Sequence, residues 1–206
     1  MPRKNTIKVY SPNSYYHVYT RGNNKQKIFL SESDFTYFLM LINRYLIPKK
    51  KKNSKNQYKY PDFSNNIKIV SYCLMYNHFH LLVYVGEDSE SLQKFMASIK
   101  TAYSMYFNKQ HKRVGTVFES RYKAVLISSV SYLAHIHRYI HLNPKNWRTY
   151  RFSSLNYYFS LNKPEWLDSE LICSEFMDFE SYANFIAEYE STDRELHEIS
   201  SILADT

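Results

Sequence analysis

Four segments of the chain have the alternating pattern and the aromatic and β-branched content that are typical of strands. The predicted strands lie at residues 15–21, 67–75, 78–85 and 117–127. Only Tyr76 and Asn77 separate the second strand from the third, which indicates a tight connection between them. We therefore expect these two strands to pair with each other.

Between these strands and after the last, apolar residues recur at every third or fourth position, which is the spacing of an amphipathic helix. The serines that could cap the predicted helices are Ser31 or Ser33, Ser89, and Ser129 or Ser131. Pro48 ends the first helix and Pro144 ends the third, because proline lacks the N–H that an inner helical position needs. Residues 48–66 are polar and rich in lysine, which indicates an exposed loop.

The first six elements follow the order β-α-β-β-α-β, which is the ferredoxin-like arrangement. It predicts an α+β fold with an antiparallel sheet, helices on one face, and the other face free for a site or a nucleic acid. A third helix follows this unit. We expect residues 1–163 to form one domain and residues 164–206 to form an acidic, helical C-terminal extension.

The composition excludes several classes of protein. The chain has 206 residues, of which 44% are apolar and 22% charged, as in a globular domain. Its two cysteines, Cys73 and Cys173, form no Cys-x-x-Cys pair, which excludes a disulfide scaffold and a thiolate zinc site. No signal peptide is visible, and the purest apolar run, residues 38–42, is too short for a membrane span. We expect a cytoplasmic protein with no membrane partner.

Charge is distributed unevenly along the chain. Residues 1–163 contain 26 Lys and Arg against 7 Asp and Glu, a net +19, whereas residues 164–206 contain 1 against 12, a net −11. The basic part predicts a polyanionic partner, and some of the 21 Tyr and 13 Phe could stack on unpaired bases. A well-solvated lysine-rich surface is the alternative.

The acidic extension has two interpretations. It could be a helix docked on the basic body, or a mobile segment that competes with nucleic acid. The spacing of its apolar residues favours docking: Phe176, Phe179, Tyr182, Phe185 and Ile186.

His78 and His80 share one face of the third predicted strand, because side chains alternate along a strand. Two imidazoles one pleat apart can bind one metal ion, although such a pair is more often structural. The histidine-triad hydrolases have a third histidine where this chain has Leu82. The motifs of zinc deaminases and of paired His-x-Thr phosphoesterases are also missing from the sequence. A two-histidine site therefore needs a third ligand and a nucleophile from elsewhere.

The last predicted helix carries three polar residues on one side. His135, Tyr139 and Asn143 lie four residues apart and so share a helix face. The phenol of Tyr139 and the carboxamide of Asn143 could approach a metal together. The alternative is an aromatic helix packed on the sheet, with Asn143 capping its end. The predicted packing face consists of Leu133, Ile136, His137 and Ile140.

Four blocks of the sequence resemble the HUH single-tyrosine transposases, specifically the REP-associated tyrosine transposases. They are Tyr16-His-Val-Tyr-Thr-Arg-Gly-Asn-Asn24, Asn77-His-Phe-His-Leu-Leu-Val83, Gly115-Thr-Val-Phe-Glu-Ser-Arg-Tyr122 and Arg138-Tyr-Ile-His-Leu-Asn-Pro144. Phe152-Ser-Ser154 resembles the Trp-Ser-Ser that often follows them. Order and spacing agree over residues 10–160, whereas the lysine-rich insert at 48–60 and the acidic extension depart from the family's pattern.

The resemblance implies a metal-dependent transposase that cuts single-stranded DNA carrying a hairpin. The cut would leave a 5′-phosphotyrosine intermediate, and the strand would be rejoined without ATP. The family's metal-binding histidines fall on His78 and His80, its amide ligand on Asn143 and its nucleophile on Tyr139. These residues would bind one Mg²⁺ or Mn²⁺. His135 could assist proton transfer. The family includes both monomers and homodimers, so either is expected.

Basic residues could position the DNA, although ordinary surface charge would explain them equally well. The candidates are Arg3, Lys4, Lys49, Lys50, Lys51, Lys52, Arg121, Lys123 and Arg138. Two other functions remain alternatives: a domesticated DNA-binding protein that does not transpose, and an RNA-binding module on the same sheet.

Overall fold

A computed structural model describes residues 10–48, 60–119 and 121–188. The strands are β1 (Ser14–Arg21), β2 (Ile67–Met75), β3 (His78–Val85) and β4 (Lys123–Leu126). The helices are α1 (Glu32–Leu46), α2 (Ser91–Gln110), α3 (Val130–Leu142), α4 (Glu170–Cys173) and α5 (Phe179–Ala187). The strands form one antiparallel sheet in the order β2-β3-β1-β4, which confirms the predicted α+β, ferredoxin-like fold. None of the helices described is long and apolar enough to cross a membrane.

Helix α1 begins where its sequence predicts. Ser31 is the N-cap residue, and the Asp34 carboxylate accepts hydrogen bonds from the backbone N–H groups of Leu30 and Ser31, at 2.8 and 2.9 Å. Asp34 also lies 2.9 Å from Nε2 of His111, which directly follows α2. This buried carboxylate therefore caps one helix and ties it to the end of the other.

Ser89 does not cap α2, so that prediction is wrong. The helix begins at Ser91, and the Asp88 carboxylate accepts hydrogen bonds from the Glu90 backbone N–H and the Ser91 hydroxyl, at 3.1 and 2.8 Å. The N-cap residue is Glu90, whose side chain makes no capping hydrogen bond, and the Asp88 contacts close the turn that leads into the helix.

The fourth strand is shorter than the predicted range of 117–127. Only Lys123–Leu126 forms a ladder with β1, whereas Phe118 makes an isolated bridge with Gly22. Gly115, at a φ of +89°, lies three residues before Phe118, in a backbone conformation that side chains rarely allow. The chain therefore approaches β1 twice. Phe118 bridges Gly22, just after the C-terminal end of β1, and β4 then pairs with the middle of β1.

The two faces of the sheet are covered by different helices. On one face, Phe38 of α1 packs against Phe79 of β3, with ring centroids 4.8 Å apart. Helix α3 lies on the opposite face. We predicted that this face would be free, but the helix covers part of it. Burial of the apolar side of α3 fixes the helix there: Leu133, Ile136 and Ile140.

The described part of the C-terminal extension anchors α3. The hydroxyl of Tyr182 on α5 hydrogen-bonds His137 and also Nδ1 of His141, the latter at 2.7 Å. His141 Nε2 lies 2.7 Å from the Ser154 hydroxyl, and all four residues are buried. This arrangement agrees with a docked helix up to residue 188, and residues 189–206 lie outside the described part of the chain.

Candidate active site

Strands β1 and β3 place a row of polar side chains on the sheet face below α3. The antiparallel register sets Tyr19 opposite His80 and Arg21 opposite His78. Because side chains alternate, His17 joins these residues on the same face. The rings of His78 and His80 lie 5.0 Å apart, so the predicted pair converges on one place.

Helix α3 brings Tyr139 to this pair within the same chain. The Tyr139 ring is half-buried, and its centroid lies 5.4 Å from that of His80 and 6.0 Å from that of His17, edge to face in both cases. Asn143 keeps helical dihedrals (φ −55°, ψ −43°) although it precedes a proline. Its side chain therefore stays on the Tyr139 side of the helix, close to His78.

His78 presents a lone pair to Asn143. The Asn77 amide nitrogen donates to the Lys25 carbonyl at 3.5 Å, and the Asn77 oxygen lies 2.7 Å from His78 Nδ1, where it accepts a hydrogen bond from the tautomer that carries its proton on Nδ1. In the neutral ring Nε2 then carries no proton, yet it lies 3.1 Å from Asn143 Oδ1. In this tautomer two electron-pair donors face each other, an arrangement that a cation would stabilise.

The spacing of these two donors fits a divalent ion. Adjacent ligands of an octahedral ion with bonds of about 2.1 Å lie about 3 Å apart, close to the 3.1 Å between His78 Nε2 and Asn143 Oδ1. The amide oxygen suits Mg²⁺ and Mn²⁺, and imidazole favours the softer Mn²⁺. Among the residues that the structure describes, no group of three or more His, Cys, Asp or Glu could hold a metal ion.

Burial sets the protonation states of the site. Desolvation lowers the pKa of His78 and lowers that of His80 well below its usual value. Both rings are therefore neutral near pH 7, as metal ligands must be. Burial raises the pKa of Tyr139, while a hydrogen bond from Asn143 and the charge of Arg21 oppose the rise. The phenol is thus protonated at neutral pH and needs a proton acceptor before it can attack.

Sequence analysis missed Arg21 as a site residue. Its positive charge acts on His78, His80 and Tyr139. Gly22 follows, and a Cβ atom there would lie 2.1 Å from the Gln26 carbonyl oxygen, so the turn at the end of β1 requires glycine. Strand alternation could have placed Arg21 on one face of β1, but not opposite His78.

The other predicted residues lie in different surroundings. The Lys123 ammonium lies over the Tyr19 ring, 5.7 Å from its centroid, and Arg121 is exposed. The Arg138 guanidinium stacks 3.7 Å from the centroid of Phe185 on α5, a contact that favours a packing role. His135 is half-buried one turn before Tyr139. The candidates outside the described residues are Arg3, Lys4, Lys49, Lys50, Lys51 and Lys52.

Comparison with known proteins identifies a family and a similar fold. A family model described as IS200-like transposase matches residues 10–143, which include β1 to α3 and every residue assembled at the site. A solved structure of a REP-associated tyrosine transposase bound to a REP hairpin has a similar fold, with a TM-score of 0.54 and 12% identity. That match covers 75% of this chain and 84% of the other. No curated protein matches the chain.

Proposed function

The chain belongs to the IS200-like transposase family, and from this premise we propose that it cleaves and rejoins single-stranded DNA with Tyr139 as the nucleophile. The observation that carries the proposal is the position of the Tyr139 ring, 5.4 Å from that of His80 and on the same helix side as Asn143. A phenol beside two imidazoles and an amide oxygen is a suitable arrangement for metal-assisted phosphoryl transfer.

His78, His80 and Asn143 are the residues that would hold one Mg²⁺ or Mn²⁺. The bound ion supplies a Lewis acid that polarises the scissile phosphate and stabilises the leaving oxygen. Arg21 contributes a positive charge that acts on Tyr139. In a half-buried site such a charge stabilises a developing anion more strongly than it would in water.

Tyr139 forms the covalent intermediate. Its phenolic oxygen bonds to phosphorus while the bond from phosphorus to the 3′-oxygen breaks. The phenolic proton passes to a base, for which His135 is the candidate, and the 3′-oxygen takes up a proton to become a 3′-OH. Because the 5′-phosphotyrosine is still a phosphodiester, a free 3′-OH can attack it and rejoin the strand without ATP.

A DNA hairpin is the substrate that we propose. The net +19 of residues 1–163 supports a polyanion, and the fold resembles that of a transposase bound to a hairpin. Lys123, which lies on the sheet face of the site, and the exposed Arg121 are the described candidates for phosphate contacts. Because Tyr139 lies beside the histidines of its own chain, a monomer is the proposed catalytic unit.

Incubation of an end-labelled single-stranded hairpin with the protein and Mn²⁺ tests this function. We expect a single nick and a covalent protein–DNA adduct, both lost when EDTA removes the metal, and a parallel reaction with Mg²⁺ compares the two ions. Tight hairpin binding with no nick would instead support the domesticated DNA-binding protein. Preference for an RNA hairpin over the DNA hairpin would support the RNA-binding module.

A further inference from the structure

His17 makes a buried contact with one of the proposed metal ligands. Its Nε2 lies 2.9 Å from Nδ1 of His80, and the two rings stack with centroids 5.1 Å apart and planes 20° apart. His17 has no exposed surface, and His80 is 4% exposed. Because buried polar atoms need partners, each ring nitrogen in this contact depends on the other.

We infer that His17 is a positioning residue that accepts a hydrogen bond from the Nδ1–H of His80 and so keeps His80 Nε2 available to bind a metal ion. The inference depends on the metal-binding set proposed above. Nδ1 of His80 faces His17, which leaves only Nε2 for a metal. A neutral imidazole carries one proton, so Nε2 has a free lone pair only when that proton is on Nδ1.

The same geometry permits the opposite arrangement. If His17 Nε2 donates to His80 Nδ1, the His80 proton is on Nε2 and blocks metal binding. Both arrangements hold two protons, so the change moves one proton on each ring and releases none. The remaining nitrogen of His17, Nδ1, is buried and has no hydrogen-bond partner among the residues that the structure describes. Within this described part of the chain no other hydrogen bond fixes the tautomer of His17, so the pair can adopt the arrangement that the metal requires.

A packing role is the competing explanation. His17 and His80 both stack on Tyr19, with centroids 5.1 and 5.8 Å away, so His17 could simply fill space in an aromatic layer. Two substitutions separate the explanations. His17→Phe keeps an aromatic ring and removes the acceptor, whereas His17→Gln keeps an acceptor oxygen and removes the ring.

Calorimetric titration of the full chain with Mn²⁺ compares these variants with the wild type. We expect the dissociation constant to rise about 10- to 100-fold in His17→Phe, as for other residues that orient metal ligands, and to stay within a few-fold in His17→Gln. Thermal melting without metal checks that each variant folds. The inference would be overturned in favour of packing if His17→Phe bound Mn²⁺ as tightly as the wild type. The same conclusion would follow if only His17→Gln bound Mn²⁺ more weakly.

Nitrogen NMR of the wild type gives a second test that needs no variant. With saturating Mg²⁺, His80 should carry its proton on Nδ1 and none on Nε2. A proton that stays on Nε2 would refute the positioning role while leaving DNA cleavage untouched. A wild type that binds no Mn²⁺ would remove the metal set and this inference together, and the tyrosine adduct would still test the nucleophile by itself.

Discussion

Asn143 Oδ1 lies 3.1 Å from His78 Nε2, although 65 positions separate the two residues in the sequence. The contact joins the end of α3 to the start of β3. When the proton of neutral His78 is on Nδ1 and donates to Asn77, the contact places two lone pairs face to face. We interpret it as two adjacent ligand positions of a divalent ion.

Substitution of Asn143 tests this interpretation. Asn143→Leu removes the oxygen, so we expect the Mn²⁺ dissociation constant to rise about 10-fold or more. Asn143→Asp supplies a charged oxygen and should tighten binding. Thermal melting in the absence of metal checks that both variants fold. Calorimetry gives the affinities, and unchanged Mn²⁺ affinity in Asn143→Leu would contradict the assignment.

Arg21 should contribute to catalysis rather than to folding. Removal of its charge in Arg21→Gln should slow hairpin cleavage about 100-fold, the effect expected when a preorganised charge beside a reacting group is lost. Lys94→Gln is the matched control, because it removes one charge from the exposed surface of α2. Single-turnover rates with Mn²⁺ make the comparison. Equal rates for the two variants would show that Arg21 acts only through the overall charge.

Tyr182 should stabilise the protein through the catalytic helix. Tyr182→Phe removes the hydroxyl that bonds His137 and His141 and leaves their buried nitrogens without this partner. We expect a loss of about 1–3 kcal/mol in the free energy of unfolding. Tyr84→Phe removes an exposed hydroxyl bonded to Asn13 and should cost less than about 0.5 kcal/mol. Urea unfolding measures both, and equal losses would contradict the anchoring role.

Stability should decrease as the pH falls below about 6.5, where histidines of the unfolded chain gain protons. Burial lowers the pKa of His137 well below its usual value and that of His141 to about 3, and the buried histidines of the site act in the same direction. The unfolded state therefore binds more protons in this range, and each unit of pH costs about 1.4 kcal/mol per histidine. Above pH 6.5 these histidines contribute no slope. Urea midpoints at pH 7.5 and 5.0 measure the effect, and identical midpoints would contradict it.

Local pattern was sufficient to predict β1, β2 and β3, the serines that begin α1 and α3 (Ser31 and Ser129), and the shared faces of the candidate residues. His78 and His80 follow from the two-residue repeat of a strand, and Tyr139 and Asn143 from the turn of a helix. These relationships involve residues at most four positions apart. They are independent of how the elements pack together.

The relationships that complete the site are long-range and could not be predicted in this way. The pairing of β1 with β3 brings Arg21 and His17 to the histidines, and it depends on the register of the two strands. The position of α3 on the sheet depends partly on its contacts with α5, through Tyr182. Ser89 is not the N-cap of α2, because the helix begins at Ser91 and its N-cap residue is Glu90.

The most direct test of the central proposal is to map the covalent adduct formed with a single-stranded hairpin and Mn²⁺ by mass spectrometry. We predict that the DNA is attached to Tyr139, that Tyr139→Phe forms no adduct while binding the hairpin within a few-fold of wild type, and that Tyr132→Phe on the same helix still forms it. An adduct on another of the 21 tyrosines, or one that persists in Tyr139→Phe, would contradict the proposal.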